Sequence, residues 1–196
     1  DSNVYSEILP WDIDERKIKS INPKGIILSG GPDSVTESYT PRIPQIIFDL
    51  NVPILGICYG MQTLAEQFGG QVISSEFKEF GYSELKVKTD CVLFSNLDKT
   101  LNVWMSHGDQ VQDLPDNFDL VAASTSAPIA AMQHSTKPIY ALQFHPEVTH
   151  TEDGKIILDN FLFKVCKANS DWRMDDLINQ RIQEIKSKVQ NNKVLL

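Results

Sequence analysis

Cysteine is scarce in this chain, basic residues are outnumbered, and long apolar runs are absent. Three widely spaced cysteines in 196 residues, Cys58, Cys91 and Cys166, argue against a disulfide framework and for a reducing compartment. Lysine and arginine number 18 against 26 acidic residues, a formal net charge of −8, which speaks against a general nucleic-acid binder. No signal peptide or bilayer-length apolar run is evident. We therefore expect a cytoplasmic protein without a membrane or nucleic-acid partner.

Sequence patterns that bind cofactors are absent too. No glycine-rich Walker-type run with a following lysine occurs, and no cluster of cysteine and histidine has metal-ligand spacing. We therefore expect no metal and no cofactor in this segment. The composition, 41% hydrophobic and 22% charged, fits one main domain with a single good core.

Predicted strands and helices alternate in the first part of the chain, which indicates a parallel α/β arrangement. The next part is strand-rich and is followed by a helix. We therefore expect an α/β fold with a mixed, mostly parallel central sheet flanked by helices. The predicted strands are Val4–Leu9, Gly25–Leu28, Pro53–Ile57, Gln71–Ser74, Ser83–Lys88, Asn102–Met105, Leu120–Ser124, Ile129–Gln133 and Ile139–Phe144. The predicted helices are Asp14–Ile21, Ile43–Asp49, Tyr59–Phe68, Lys155–Lys167 and Asp175–Val189.

The run Gly56–Gln62 carries the strongest chemical signal. An apolar strand delivers Cys58 into a glycine-flanked turn, and a helix begins at once. The glycines allow close backbone approach, and the free N–H groups at the helix start favour a thiolate. This is the geometry of a nucleophile elbow. On the elbow alone, a buried structural cysteine remains an equal alternative.

A nucleophilic cysteine needs a base, and His145 is the best placed of the four histidines. It follows a predicted strand in the sequence His145-Pro146-Glu147, and side chains two apart on an extended chain share a face. Pro146 keeps this segment out of a helix. Glu147 can then orient the imidazole and stabilise its charged form. A strand-capping histidine and a solvated acid are the structural alternatives.

His107, in the sequence Ser106-His107-Gly108-Asp109, is the competing base. Its nearest downstream carboxylate, on Asp109, lies across a flexible glycine, which makes His107 the weaker candidate. These four residues could also form a simple turn, because glycine supplies positive φ and Ser or Asp bonds local backbone.

These motifs resemble the signature of the class I glutamine amidotransferases, carried by Gly56–Gln62 and by Gln143-Phe144-His145-Pro146-Glu147. The chain is more narrowly similar to the branch of that family in which the glutaminase domain precedes a nucleotide synthetase. The narrower resemblance depends on four further motifs, Leu28–Ser34, Phe80–Tyr82, Trp104–Asp109 and His145–Thr151. The similarity runs from Val4 to the last residue.

The resemblance implies a Cys-His-Glu triad. Cys58 would attack the side-chain amide of glutamine, while His145 would take the thiol proton and give a proton to the departing ammonia. Glu147 would hold the imidazole ring. The backbone N–H groups of Gly31 and Tyr59 would form the oxyanion hole.

The resemblance also implies a binding site for the amino-acid end of glutamine, formed by Gln62, Ser106 and Asp109. Asp109 suits the cationic α-amino group. Without the family, Gln62 on a helix face would more often be exposed to solvent.

The resemblance further implies a partner domain. Residues 1–168 would form the glutaminase domain, and residues 169–196 would form a linker helix and the first strand, Val194–Leu196, of an ATP pyrophosphatase domain. That synthetase domain of the same polypeptide would use ATP and magnesium to aminate XMP with the released ammonia. A homodimer would form through regions outside this segment. Ordinary C-terminal packing is the alternative role for the amphipathic helix Asp175–Val189.

The family implies that a strand and a helix precede Asp1, so we expect the first strand of the sheet to be missing here. Other class I amidotransferases, which serve carbamoyl phosphate, anthranilate or CTP synthesis, share the triad. A related Cys-His-Glu peptidase or amidase is opposed by Gln62 and the segment Ser106–Asp109. A catalytically silent regulatory subunit is opposed by the intact triad.

Overall fold

A seven-stranded mixed sheet with flanking helices forms the fold in the computed structural model, which describes residues 2–190 apart from the side chains of residues 76, 77, 174–176, 179 and 180. The strands are β1 (Ile26–Leu28), β2 (Ile54–Ile57), β3 (Gln71–Val87), β4 (Thr100–Asp113), β5 (Phe118–Ala123), β6 (Ala131–His134) and β7 (Ile139–Leu142). The helices are α1 (Glu15–Ile21), α2 (Gln45–Asp49), α3 (Tyr59–Gln67), α4 (Gly154–Asp159) and α5 (Met174–Val189), with a 3-10 turn at Val92–Phe94 and a π-helical turn at Asn160–Val165.

The spatial order of the strands is β1-β2-β7-β6-β5-β3-β4. Strands β1, β2 and β7 pair in parallel, and the other four pairings are antiparallel. The predicted mixed α/β sheet is confirmed, but the expectation that it is mostly parallel is wrong. The lengths of the connections explain the antiparallel pairings. Short links join β5 to β6 and β6 to β7, which suits antiparallel neighbours, whereas the parallel strands β1 and β2 are joined through a helix.

Apolar side chains from β2 and β7 are buried on both sides of the sheet. Leu55 and Leu142 belong to one core cluster, whereas Ile54 and Ala141 belong to the other. Every residue of β2 is buried, as expected for a central parallel strand covered on both faces. This rigid centre is where the chain leaves β2 to enter α3.

Strands β3 and β4 form one long antiparallel ribbon, longer than the separate short strands that the sequence predicts. Its register shifts between Gln71 and Val72 and again between Ser74 and Glu79. Beyond the second shift the register pairs Glu79 with His107. The segment Ser106–Asp109 therefore lies inside a strand, so the turn alternative is wrong.

The predicted strand Val4–Leu9 is not formed. Its residues have no pairing partner among those described, and the Ile8 side chain is fully exposed. Val4, Tyr5 and Ile8 favour a strand through their high β propensity, but a strand is stable only where a neighbour takes its hydrogen bonds and its apolar face is covered. Strand β1 is accordingly the last strand on its side of the described sheet. The predicted strand Val194–Leu196 lies outside the described residues.

The described residues divide into two compact units, one from Leu9 to Lys167 and one formed by residues 2–8 with residues 168–190. In the smaller unit the Trp172 N–H donates to the Asn3 carbonyl at 3.0 Å. The rings of Tyr5 and Trp172 lie 6.3 Å apart. Helix α5 confirms the predicted C-terminal helix to within one residue.

Candidate active site

Cys58 sits at the junction of β2 and α3 in a backbone conformation that is rare for a residue with a side chain. Its φ is 51° and its ψ is −106°, so the turn is strained in the way a nucleophile elbow requires. The Cys58 N–H donates to the Leu142 carbonyl at 2.7 Å, and its carbonyl accepts from the Gln62 N–H at 3.1 Å. Strand β7 and helix α3 thus hold the strained residue from both sides.

Two glycines make room for this elbow. A Cβ on Gly60 would overlap the Leu28 carbonyl, and one on Gly56 would lie 2.8 Å from the Gly60 carbonyl oxygen. Both distances are shorter than normal carbon contacts, so only glycine lets β1, β2 and α3 approach this closely. The predicted role of the glycines in close backbone approach is confirmed.

The elbow brings the thiol to the ring of His145. A Cβ built on Gly30 would lie 3.6 Å from the Cys58 Cβ and 3.1 Å from the His145 Cε1. Gly30 therefore lies against both side chains, which converge beside the loop that follows β1. Sequence reasoning assigned no role to Gly30, although it lies in the Leu28–Ser34 motif.

His145 is oriented by Glu147, as the spacing predicts. The His145 Nδ1 lies 2.7 Å from the Glu147 Oε1, and the His145 Nε2 is buried without a hydrogen bond inside the described part of the chain. Catalytic hydrogen bonds are often loose before substrate binds. One ring nitrogen is therefore held by the carboxylate, and the other is left for the sulphur and the substrate.

The charges at this site favour a protonated imidazole. Interaction with Cys58 first, and then with Glu147, raises the pKa of His145 to about 10, although burial opposes the charge. Burial alone would raise the pKa of Glu147, but the hydrogen bond from His145 and its positive charge lower that pKa overall. His145 thus carries a proton at neutral pH, beside the sulphur and an ionised carboxylate.

The other two cysteines lack these features. Burial raises the pKa of Cys91 and of Cys166 to about 11, so neither forms much thiolate at neutral pH. A recess lined by Val87, Cys91, Phe94 and Lys99 contains none of the predicted site residues. Cys58 is therefore the best candidate nucleophile among the three.

The loop after β1 and the start of α3 lie where the predicted oxyanion hole would be. A Cβ on Gly31 would lie 3.8 Å from the Tyr59 ring, so the two residues are neighbours. Tyr59 is the first residue of α3, a position whose N–H has no acceptor within its helix. The two residues predicted to supply the donors therefore lie beside each other, and Tyr59 directly follows Cys58 in the chain.

The three predicted glutamine-binding residues also lie around Cys58. The Ser106 carbonyl lies 3.6 Å from the Cys58 Sγ, and the buried Asp109 accepts a hydrogen bond from the Ser34 hydroxyl. Gln62 is buried, with its Nε2 donating to the Asp109 carbonyl at 2.8 Å. Position on a helix face alone predicts that Gln62 is exposed to solvent, and that expectation is wrong.

Ser34 and Gln143 join the site without having been predicted as site residues. Gln143 is fully buried, and its side chain contacts both the Gln62 amide, at 3.4 Å, and the Cys58 Sγ, at 3.8 Å. Both residues lie in motifs that the sequence offered, Leu28–Ser34 and Gln143–Glu147. Their side-chain partners come from distant segments, which spacing along the chain does not reveal.

His107 has a carboxylate partner that the sequence did not reveal. Its Nε2 lies 3.2 Å from the Glu79 Oε2 on the neighbouring strand. Burial first, with the nearby His145 charge, lowers the pKa of His107 although Glu79 opposes this. A neutral imidazole turned towards Glu79 is poorly suited to the role of catalytic base, which agrees with the choice of His145.

Within the described part of the chain, no three histidine, cysteine, aspartate or glutamate side chains are grouped so as to hold a metal ion. No helix of residues 2–190 combines the length and apolar character needed to cross a bilayer.

Comparison with known proteins defines the class of protein. The family model described as glutamine amidotransferase class-I matches residues 1–165. The chain therefore belongs to the class-I glutamine amidotransferase family, which confirms the resemblance seen in its motifs.

Curated relatives point to one branch of the family. The chain is 48% identical to the glutamine-hydrolyzing GMP synthase of Vibrio cholerae over 193 residues, which are 98% of this chain and 37% of the relative. It is 47% identical to that of Thermosipho melanesiensis, covering 100% of this chain and 38% of the relative. The chain thus spans less than two fifths of the length of the curated relatives it matches.

Solved structures agree with this similarity. A candidate GMP synthase component of Thermoplasma acidophilum shares 34% identity and a TM-score of 0.71, covering 91% of this chain and 84% of that one. A glutamine amidotransferase of Thermotoga maritima, at 23% identity and a TM-score of 0.56 over 81% of this chain and 66% of that one, shows the fold alone.

Proposed function

We propose that this chain is the glutaminase part of a glutamine-hydrolysing GMP synthase. The observation that carries the proposal is the convergence of Cys58 and the Glu147-held His145 beside Gly30. The similarity of nearly the whole chain to part of the GMP synthases supports the choice of branch.

The proposed reaction begins when the Cys58 sulphur attacks the side-chain amide carbon of glutamine. The carbonyl oxygen gains negative charge and accepts hydrogen bonds from the N–H groups of Gly31 and Tyr59. His145 then gives its proton to the amide nitrogen, the C–N bond breaks, and ammonia leaves a thioester on Cys58. Water attacks the thioester with neutral His145 as the base, and glutamate is released.

The substrate would be held by its amino-acid end. The Asp109 carboxylate would pair with the α-amino group, and the Ser34 hydrogen bond fixes that carboxylate. Gln62 and Ser106 complete the proposed binding site. Because the Gln62 amide already bonds β4, we assign it the further role of holding Asp109 in place.

The released ammonia would pass to a synthetase domain of the same polypeptide. That domain would bind ATP, magnesium and XMP and form GMP. Residues 1–168 would be the glutaminase domain, and residues 169–196 would link it to the synthetase domain. We further propose a cytoplasmic enzyme that forms homodimers through regions outside this segment.

Labelling with a diazoketone analogue of glutamine tests the proposed site. We expect the full-length protein to be alkylated on Cys58 alone, because burial keeps Cys91 and Cys166 protonated. Peptide mass spectrometry identifies the labelled residue, and excess glutamine should slow labelling. A Cys91→Ala variant is the matched control and should label normally. Labelling elsewhere, or labelling that glutamine does not slow, would contradict the proposed site.

A further inference from the structure

Exposed aromatic side chains cluster on the β3-β4 ribbon. Phe80 and Tyr82 are each 67% exposed, and residues two apart on a strand point to the same face. Across the ribbon, Tyr82 pairs with Trp104. We call Phe80, Tyr82, Trp104 and His150 the aromatic patch.

Three rings of the patch, those of Tyr82, Trp104 and His150, contact one another. The rings of Tyr82 and Trp104 meet edge to face at 5.3 Å, and those of Trp104 and His150 lie 4.5 Å apart. Clustered exposed aromatics are unusual on a monomer surface and are typical of residues that anchor a binding partner. The patch therefore has the composition of an interface.

Gly81 shapes the patch through its backbone. Its φ is 132°, yet a Cβ there would meet no atom within 4 Å. The glycine is thus needed for its conformation and not for close packing. The sequence motif Phe80–Tyr82, which has no part in the glutaminase reaction, is explained by this exposed surface.

The patch is joined to the catalytic histidine by hydrogen bonds. The Trp104 carbonyl accepts from the His145 N–H at 3.1 Å. The Trp104 N–H donates to the Thr151 hydroxyl at 3.0 Å, and that hydroxyl donates to the His145 carbonyl at 2.6 Å. A partner that shifts Trp104 would therefore also move His145.

We propose that the aromatic patch is the docking surface for the synthetase domain of the same polypeptide. This rests on the proposed function. Two observations choose this occupant: the curated relatives carry more than half of their length beyond the part matched here, and the patch is continuous with the loop that holds His145. Docking would thus couple glutamine hydrolysis to the synthetase domain through Trp104.

The test replaces Phe80 and Tyr82 by serine together in the full-length protein. Tyr39→Asn is the control, because Tyr39 is fully exposed and Asn tolerates its positive φ of 65°. GMP formation is measured with ATP, magnesium and XMP, from glutamine and separately from ammonium chloride, beside labelling of Cys58 by the diazoketone.

We expect the double variant to lose at least tenfold in glutamine-dependent synthesis, with ammonium-dependent synthesis unchanged and with unchanged labelling of Cys58 in the absence of ATP and XMP. Normal glutamine-dependent synthesis in the double variant would overturn the proposal that the patch is a docking surface. Loss of Cys58 labelling without ATP and XMP would also overturn it, because Phe80 and Tyr82 would then only support the structure of the glutaminase site. If the double variant changes from dimer to monomer but keeps glutamine-dependent synthesis, the patch would instead be the contact with a second copy of the protein. Absence of ammonium-dependent synthesis in the unaltered protein would instead defeat the proposed function.

Discussion

At the scale of single residues, the proposed chemistry depends on an imidazole placed between a sulphur and a carboxylate. The elbow and the strand-end His145-Pro146-Glu147 were predictable because each is a local pattern, and the structure brings them together. The Ser34 bond to Asp109 and the His107–Glu79 pair were not predictable, because they depend on which strands become neighbours.

The raised pKa of His145 makes a prediction about pH. Because the folded-state pKa is about 10, the imidazolium that would protonate the leaving amide nitrogen persists at neutral pH and is lost as the pH rises through that value. Glutamine turnover should therefore fall only at strongly alkaline pH.

Glu147→Gln should move this alkaline decline to lower pH, because the lost carboxylate is one of the groups that raise the His145 pKa. Turnover at neutral pH should also fall roughly tenfold or more. The pH profile of glutamine hydrolysis measures both effects. Glu84→Gln, which alters an exposed acid on β3, is the control. If the alkaline decline of glutamine hydrolysis occurs at the same pH in Glu147→Gln, the pairing of His145 with Glu147 would be contradicted.

At the scale of elements, sequence patterns located most helices and strands but not the pairing of the strands. Tyr59–Gln67 follows from apolar residues at helical spacing, and Ile54–Ile57 from a short apolar run between turn residues. Val4–Leu9 also contains residues that favour strands, but it has no pairing partner among residues 2–190 and forms no strand. Pairing depends on the competition between segments, which a single segment does not encode.

The close packing of the elbow predicts a stability effect. Gly60→Ala should destabilise the fold by about 1–3 kcal/mol, since its Cβ would overlap the Leu28 carbonyl. Gly108→Ala is the matched control, because its Cβ would lie 3.7 Å from Lys78 atoms, an ordinary contact. Urea unfolding of both variants gives the free energies. Equal stabilities would show that β1 and α3 do not pack as described.

At the scale of the whole molecule, the central claim is a division of labour. The residues proposed to release ammonia lie in this chain, and those that use it would lie in a further part of a longer polypeptide. The expectation follows from four sequence motifs and from relatives more than twice as long as this chain. Composition and periodicity alone could not provide it, because they describe a fold and not its partner.

The most direct measurement compares two nitrogen sources in the full-length protein carrying Cys58→Ala. We expect GMP formation from glutamine to be abolished, while GMP formation from ammonium chloride stays close to that of the unaltered protein. Circular dichroism checks that the variant is folded. Loss of both activities in a folded variant, or retention of glutamine-dependent synthesis, would contradict the account.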